Sequence, residues 1–219
     1  MYLIITRSFP PEVGGMQNLM WGLANELSKD YMIKVFADLH EKHKNFDEKV
    51  SFSIERVGGI KFFRKYRKAQ LINEFVKENK IKGLIADHWK SLELIKTNKK
   101  KICLIHGKEI NHQKGTNLNK RVLNVLNNVE RVVANSQYTK ELAIKCGVVE
   151  SKIIVINPGV DLVQELDEKI INKVEILLKQ KSPRLITVSR FDKRKNHEKV
   201  IMALRNLKQV YPNIIYICI

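Results

Sequence analysis

Cysteine is scarce: Cys103, Cys146 and Cys218 are scattered over 219 residues without metal-type spacing. That excludes a zinc module. Each thiol lies in or beside an apolar segment, so buried free thiols in a cytoplasmic protein are expected. Long apolar runs are also missing. None approaches the roughly 20 residues needed to span a bilayer. The opening Met1-Tyr2-Leu3-Ile4-Ile5-Thr6 is too short for the apolar core of a signal peptide and reads as a strand. There is no internal repeat, no low-complexity segment, and no recognition-helix, zinc or aromatic ribonucleoprotein motif, so nucleic-acid binding rests on charge alone. Negative charge is thin. Twenty-three Asp+Glu stand against 40 Lys+Arg, a net charge of +17. Such a surface attracts polyanions: nucleic acid, anionic lipid or phosphorylated substrates. The lysines are spread along the chain rather than held in one block, which a Lys-, Asn- and Ile-rich compositional bias also produces.

What is present is an alternation of strand and helix. Tyr2 to Thr6, Ile33 to Ala37, Phe52 to Val57, Gly83 to Asp87, Lys101 to Ile105, Arg131 to Ala134 and Ile153 to Ile156 read as short apolar strands. Helical spacing covers Met16 to Leu27, Arg67 to Glu78, Lys90 to Lys96, Leu118 to Leu126 and Tyr138 to Lys145, the last capped by Ser136. This pattern predicts an α/β fold, a parallel sheet with helices on both faces. Pro158-Gly159 breaks it and sets a boundary near residue 160. A helix from Leu166 to Gln180 follows, stopped at Lys181-Ser182-Pro183. A new βαβ unit then starts at Arg184, with a helix from His197 to Val210 and a strand from Ile214 to Cys218. One such unit cannot cover both faces of its strands.

Two loops stand out. Val188-Ser189-Arg190-Phe191-Asp192-Lys193-Arg194-Lys195-Asn196 joins a strand to a helix. Ligands of open α/β sheets bind beyond the carboxyl ends of strands. A helix N-terminus adds free N–H groups there, arginine a planar fork and lysine a point charge. Ser8-Phe9-Pro10-Pro11-Glu12-Val13-Gly14-Gly15-Met16-Gln17 links the first strand to its helix. Its tandem glycines permit positive φ and close backbone approach, a site for a diphosphate or an acceptor phosphate. His106 and Asn135-Ser136 also end strands; for the latter, capping is the leading reading. Glu109 either contacts an acceptor or caps a helix. His88 reads as structural, while His40, His43, His112 and His197 read as surface residues. The run Lys61-Phe62-Phe63-Arg64-Lys65-Tyr66-Arg67-Lys68 interleaves aromatics with cations. It reads either as a solvated basic loop and helix start or as a dock for an anionic membrane surface through Lys61, Arg64, Lys65, Arg67 and Lys68.

Together with His106-Gly107-Lys108-Glu109, Val133-Ala134-Asn135-Ser136-Gln137-Tyr138-Thr139 and Val155-Ile156-Asn157-Pro158-Gly159-Val160-Asp161, the two loops form five ordered matches over nearly the whole chain. The set resembles the retaining GT-B glycosyltransferases of family 4, which include phosphatidylinositol mannosyltransferases and sucrose-phosphate synthases. The resemblance implies a Rossmann-like acceptor-side domain over 1–160. A linker and helix over 161–183, with Asp161 in the hinge, and an incomplete nucleotide-sugar-binding domain over 184–219 follow. It implies transfer of a hexose from GDP-mannose or a UDP-hexose to a lipid or polysaccharide, with retained configuration and no metal cofactor. Gly14, Gly15, Arg190 and Lys195 are then the diphosphate-binding residues. His106 becomes the catalytic residue beside the transferred sugar, and Glu109, Asn135 and Ser136 fall on the acceptor side. Relatives continue beyond this length into a base pocket and a paired-glutamate motif, so a truncated form is expected. It is placed in the cytoplasm, peripheral on the inner face of the membrane. The alternative is a non-catalytic acceptor-binding or assembly module.

Overall fold

A computed structural model describes residues 1–160 and 165–219. Asp161, assigned above to a hinge, lies outside the described residues. The chain divides into two compact units, Met1–Gly159 and Val160–Ile219.

The first unit is built on β1 (Tyr2–Ile5), β2 (Ile33–Asp38), β3 (Ser53–Val57), β4 (Gly83–Ala86), β5 (Lys100–Ile105), β6 (Arg131–Ala134) and β7 (Ile153–Val155). They form one all-parallel sheet in the order β3-β2-β1-β4-β5-β6-β7. Successive side chains of a strand point to opposite faces. Leu3 and Ile5 accordingly enter one apolar core, and Ile4 enters the other. On the first face lie α3 (Lys61–Glu78), α4 (Trp89–Leu92), α5 (Asn117–Leu126) and α6 (Gln137–Cys146), contributing Ile72, Trp89, Leu126 and Ala143. On the other lies α1 (Gly15–Asp30), through Met20 and Ala24. Each fully buried Leu or Ile in these layers contributes roughly 1.5–3 kcal/mol relative to leaving it in water. The connection from β1 runs outward to β2 and β3, then returns to place β4 on the opposite side of β1. This reversal opens a crevice at the carboxyl ends of β1 and β4, where open α/β sheets bind ligands.

Several boundaries differ from those read in the sequence. Helix α3 starts six residues earlier, at Lys61 rather than Arg67. Gly59, at φ +99°, turns the chain out of β3. Arg64 then donates its guanidinium N–H groups to the Gly59 carbonyl at 2.8 and 3.2 Å and to Asp38 at 3.0 Å, holding the first turn in place. A short helix not foreseen, α2 (Lys44–Asp47), is tied to β3 by Arg56, whose Nη2 lies 2.6 Å from Asp47 Oδ1. The short helix expected over Lys90 to Lys96 ends at Leu92. Asn73 of α3 takes up the next backbone groups, donating to the Leu94 carbonyl at 3.0 Å and accepting from the Lys96 N–H at 2.8 Å.

The second unit contains α7 (Glu168–Leu177), β8 (Arg184–Thr187), α8 (His197–Val210) and β9 (Ile215–Cys218). Strands β8 and β9 pair in parallel, with Arg184 opposite Ile215. None of the residues of α7 is buried, and Ile186, Ile201 and Met202 are exposed. A pair of parallel strands with a single crossover helix leaves apolar surface open on both sides. Cys103 and Cys146 are buried as expected, whereas Cys218, on this thin sheet, is only half-buried.

Candidate functional site

Asp87 organises the carboxyl edge of the sheet. It follows β4, is 4% exposed, and its carboxylate reaches across to the chain leaving β1. Oδ2 accepts the Thr6 hydroxyl at 2.7 Å and the Arg7 N–H at 3.0 Å, and Oδ1 accepts the Ser91 hydroxyl at 3.0 Å. The next residue, His88, caps α4 by accepting the Lys90 N–H on Nδ1 at 2.9 Å, which leaves its proton on Nε2. Burial, then the positive charges of Arg7 and Lys90, push the His88 imidazole down to about 3.

At the end of β5, Gly107 takes φ +110° and turns the chain sharply. Glu109 closes that turn: its Oε1 accepts the backbone N–H of His106 at 2.5 Å and of Gly107 at 3.3 Å. The Glu109 carboxylate is therefore engaged in holding the His106 loop. Trp89, fully buried, fixes the same loop by donating its indole N–H to the Glu109 carbonyl at 2.9 Å. The Nε2 atom of His106 is buried and has no hydrogen-bond partner among the described residues. A buried polar atom without a partner is costly. One strand further, Asn135 Oδ1 accepts the Thr139 hydroxyl at 2.7 Å, and Ser136 Oγ accepts the Thr139 N–H at 3.2 Å. Both are engaged in starting α6.

Gly14 precedes α1 and is extended, at φ 163°, and neither Gly14 nor Gly15 uses the left-handed region that the sequence reading noted glycine permits. Their role in the backbone is different. A Cβ on Gly14 would stand 2.4 Å from Gln17 Oε1, while one on Gly15 would project into open space. The first turn of α1 has no side-chain cap and no acidic residue, so its N–H groups stay available to an anion.

Between α3 and α4 the carboxyl ends of β1 and β2 form the floor of a cleft of about 420 Å³, whose walls include Lys61, Arg64, Lys65, Lys68 and Lys90 as well as Arg7 and Asp38. A neighbouring recess of about 360 Å³ shares Arg7, Asp38 and Arg64. The Lys68 side chain is only 8% exposed; its ammonium donates to the Thr6 carbonyl at 2.8 Å and pairs with Asp38. Lys68 therefore turns inward, and the membrane-facing role read for it in the sequence is corrected. Burial lowers the pKa of both Lys68 and Lys90, and Arg7 pushes each further down. On the opposite side of the helix Phe62, Phe63 and Tyr66 stand exposed; Phe62 and Phe63 pack edge to face with ring centroids 5.4 Å apart, and Tyr66 lies tilted against Phe62 at 5.9 Å.

In the second unit Asp192 caps a short 3₁₀ turn, Lys193–Lys195, through the Arg194 N–H at 3.0 Å. That hydrogen bond and the Arg194 guanidinium hold its carboxyl below the usual range. Arg190 and Lys195 are exposed and form no ion pair among the described residues. His197, expected at the surface, is instead 9% exposed. Its Nε2 lies 3.1 Å from Ser189 Oγ and its Nδ1 2.9 Å from Tyr216 Oη, which donates to Thr187 Oγ1 at 3.0 Å. This chain of polar contacts ties the root of the Arg190 loop to β8 and β9. The sequence reading also missed Arg7, Asp38, Asp87 and Lys90. Asp38 and Asp87 carried a usable signal, since each is a carboxylate at the carboxyl end of an apolar strand.

The family model for Glycosyltransferase Family 4 matches residues 13–164. Among solved structures, HepE of Anabaena in complex with UDP aligns with a TM-score of 0.77 at 17% identity, over 99% of this chain and 60% of its own. A glycosyltransferase from Rickettsia africae aligns with a TM-score of 0.73 at 20% identity, over 99% of this chain and 59% of its own. Sucrose-phosphate synthase from Thermosynechococcus elongatus gives a TM-score of 0.73 at 14% identity, over 98% of this chain and 69% of its own. This chain thus spans about 60% of the length of the first two. No curated protein sequence matches it. No helix among the described residues is long and apolar enough to cross a membrane.

Proposed function

The chain belongs to glycosyltransferase family 4 and has the GT-B kind of fold, and on that premise we propose that it serves hexosyl transfer from a nucleotide-diphosphate sugar. The donor is GDP-mannose or a UDP-hexose, and the acceptor a lipid or a cell-surface polysaccharide. The observation that carries this reading is the pair of uncompensated cations, Arg190 and Lys195, in the loop between β8 and α8. When the bond between the anomeric carbon and the phosphate oxygen breaks, its electron pair stays on the leaving diphosphate. Cations already in place stabilise that charge most as it develops. The acceptor oxygen forms the new bond on the side the leaving group departs, so configuration is retained, and its proton passes to the departing phosphate oxygen. Arg190 and Lys195 serve here in place of a divalent metal. Gly14 and Gly15, with the uncapped start of α1, offer N–H groups to a phosphate within the first unit. The unpartnered Nε2 of His106 is available to a sugar hydroxyl. The Asn135-Ser136 turn and the Glu109-braced loop frame the acceptor side.

Docking on an anionic membrane surface is part of the same proposal. Phe62, Phe63 and Tyr66 supply the apolar contact, and Lys61 and Arg67 the outward charge. A cytoplasmic, peripheral location follows. The test is isothermal titration of the 219-residue chain with UDP and GDP, and with UDP-glucose and GDP-mannose. Binding that is lost in Arg190→Ala/Lys195→Ala supports the donor reading. Failure of every nucleotide to bind leaves the chain as a non-catalytic acceptor-binding or assembly module.

A further inference from the structure

We propose that the cleft between α3 and α4 binds a phosphate or diphosphate ester carried by the acceptor, an anion separate from that of the donor. This inference rests on the transferase reading and names the chemical class of its acceptor.

Charge is the first argument. Six cations line the cleft, Arg7, Lys61, Arg64, Lys65, Lys68 and Lys90, against one carboxylate, Asp38. Arg64 and Lys68 share Asp38, and Lys65 shares Glu93 with Arg121. Arg7, Lys61 and Lys90 form no ion pair among the described residues. Like charges gathered around a recess repel one another: the Lys90 ammonium, lowered first by burial, is pushed down further by Arg7, Arg121 and Lys65 against the opposing pull of Glu93. A bound anion removes it.

Construction is the second argument. The cationic tips are free, but their roots are fixed. Asp87 holds the backbone N–H of Arg7 at 3.0 Å, and His88 holds that of Lys90 at 2.9 Å. Lys68 is locked by the Thr6 carbonyl at 2.8 Å and by Asp38. A site held in this way pays little ordering entropy when its ligand arrives. The chemistry then selects the ligand. A phosphate ester carries close to two negative charges near neutral pH and offers three acceptor oxygens, which matches a guanidinium fork beside two ammonium groups. A neutral sugar leaves the three unpaired cations uncompensated. The volume of about 420 Å³ leaves room for a sugar ring beside the phosphate.

Titration of the 219-residue chain with glucose 6-phosphate, inorganic pyrophosphate and glucose tests this. Both anions are expected to bind and glucose is not. Arg7→Ala/Lys90→Ala is expected to weaken anion binding tenfold or more, about 1.4 kcal/mol. Lys61→Glu, at the exposed rim, provides a second variant without disturbing the fold. Arg190→Ala/Lys195→Ala is expected to leave glucose 6-phosphate binding unchanged while removing UDP binding and any second pyrophosphate site. Vesicles of phosphatidylcholine with and without phosphatidic acid separate the sources. Binding to phosphatidic acid vesicles that is lost in Arg7→Ala/Lys90→Ala, whose outward docking patch is intact, marks a lipid-borne phosphate; cleft-dependent binding only of the soluble esters marks a free one. Glucose 6-phosphate binding that survives both cleft variants, or affinity for glucose equal to that for glucose 6-phosphate, overturns the proposal. Loss of nucleotide binding alone, with the cleft still selective, overturns the donor reading instead.

Discussion

The most quantitative consequence of the crevice concerns the proton on His88. Its imidazole is pushed down to about 3, first by burial and then by Arg7, Lys90 and His106. Protonation would also take the Nδ1 lone pair that caps α4. In the unfolded chain the same ring takes up a proton near pH 6.5. Between these two values the unfolded state holds the proton and the folded state does not, so stability falls as pH falls. The slope approaches 1.36 kcal/mol per pH unit, and integration from about pH 7 to about pH 5 gives a loss of about 2 kcal/mol. His88→Asn keeps a side-chain acceptor for the Lys90 N–H and removes the titration. Urea unfolding followed by tryptophan fluorescence reads the first unit specifically, because Trp21 and Trp89 both lie in it. The wild-type chain should lose about 2 kcal/mol more than the variant over that pH range, equivalent to about 4–8 °C in melting temperature. The His88 ring proton shift should stay flat down to about pH 4. Parallel pH dependences, or a ring that titrates near its ordinary value, would refute the argument.

Three further outcomes follow from buried polar contacts. Asp87→Ala removes a buried carboxylate from the Thr6 and Ser91 hydroxyls and the Arg7 N–H. It should cost about 3 kcal/mol or more, seen in the urea midpoint, and Thr6, fully buried, has no water to replace its partner. Arg56, with a side chain 4% exposed, grips Asp47 and donates to the Pro10 carbonyl at 2.6 Å. Arg56→Ala should cost roughly 3–5 kcal/mol and speed proteolytic cleavage between residues 8 and 14. Arg56→Lys should not restore either, lacking the fork. His197→Ala should disconnect Ser189 from Tyr216, lowering thermal stability by about 1–3 kcal/mol. It should also weaken UDP binding by loosening the Arg190 loop. Unchanged UDP affinity in this variant would separate the network from the loop.

The sequence by itself determined the alternation of strands and helices. It also determined the landmarks at their junctions, because both are written in short-range chemistry. Leu3-Ile4-Ile5 announces a central parallel strand, Ser136 announces the start of α6, and α8 spans His197–Val210 as its periodicity predicted. Only the tertiary structure decided which polar side chains face inward. Lys68 belongs to a run that looks uniformly solvated, yet its partner is the Thr6 carbonyl, 62 residues away. The earlier start of α3 depends on Asp38, which reaches Arg64 across 26 residues. His197 is buried because Tyr216 and Ser189 converge on it from β9 and the end of β8. Periodicity and capping act over a few residues and are legible in order along the chain. The burial of a charge depends on which distant groups the sheet brings within about 3 Å of it, and no local pattern encodes that distance.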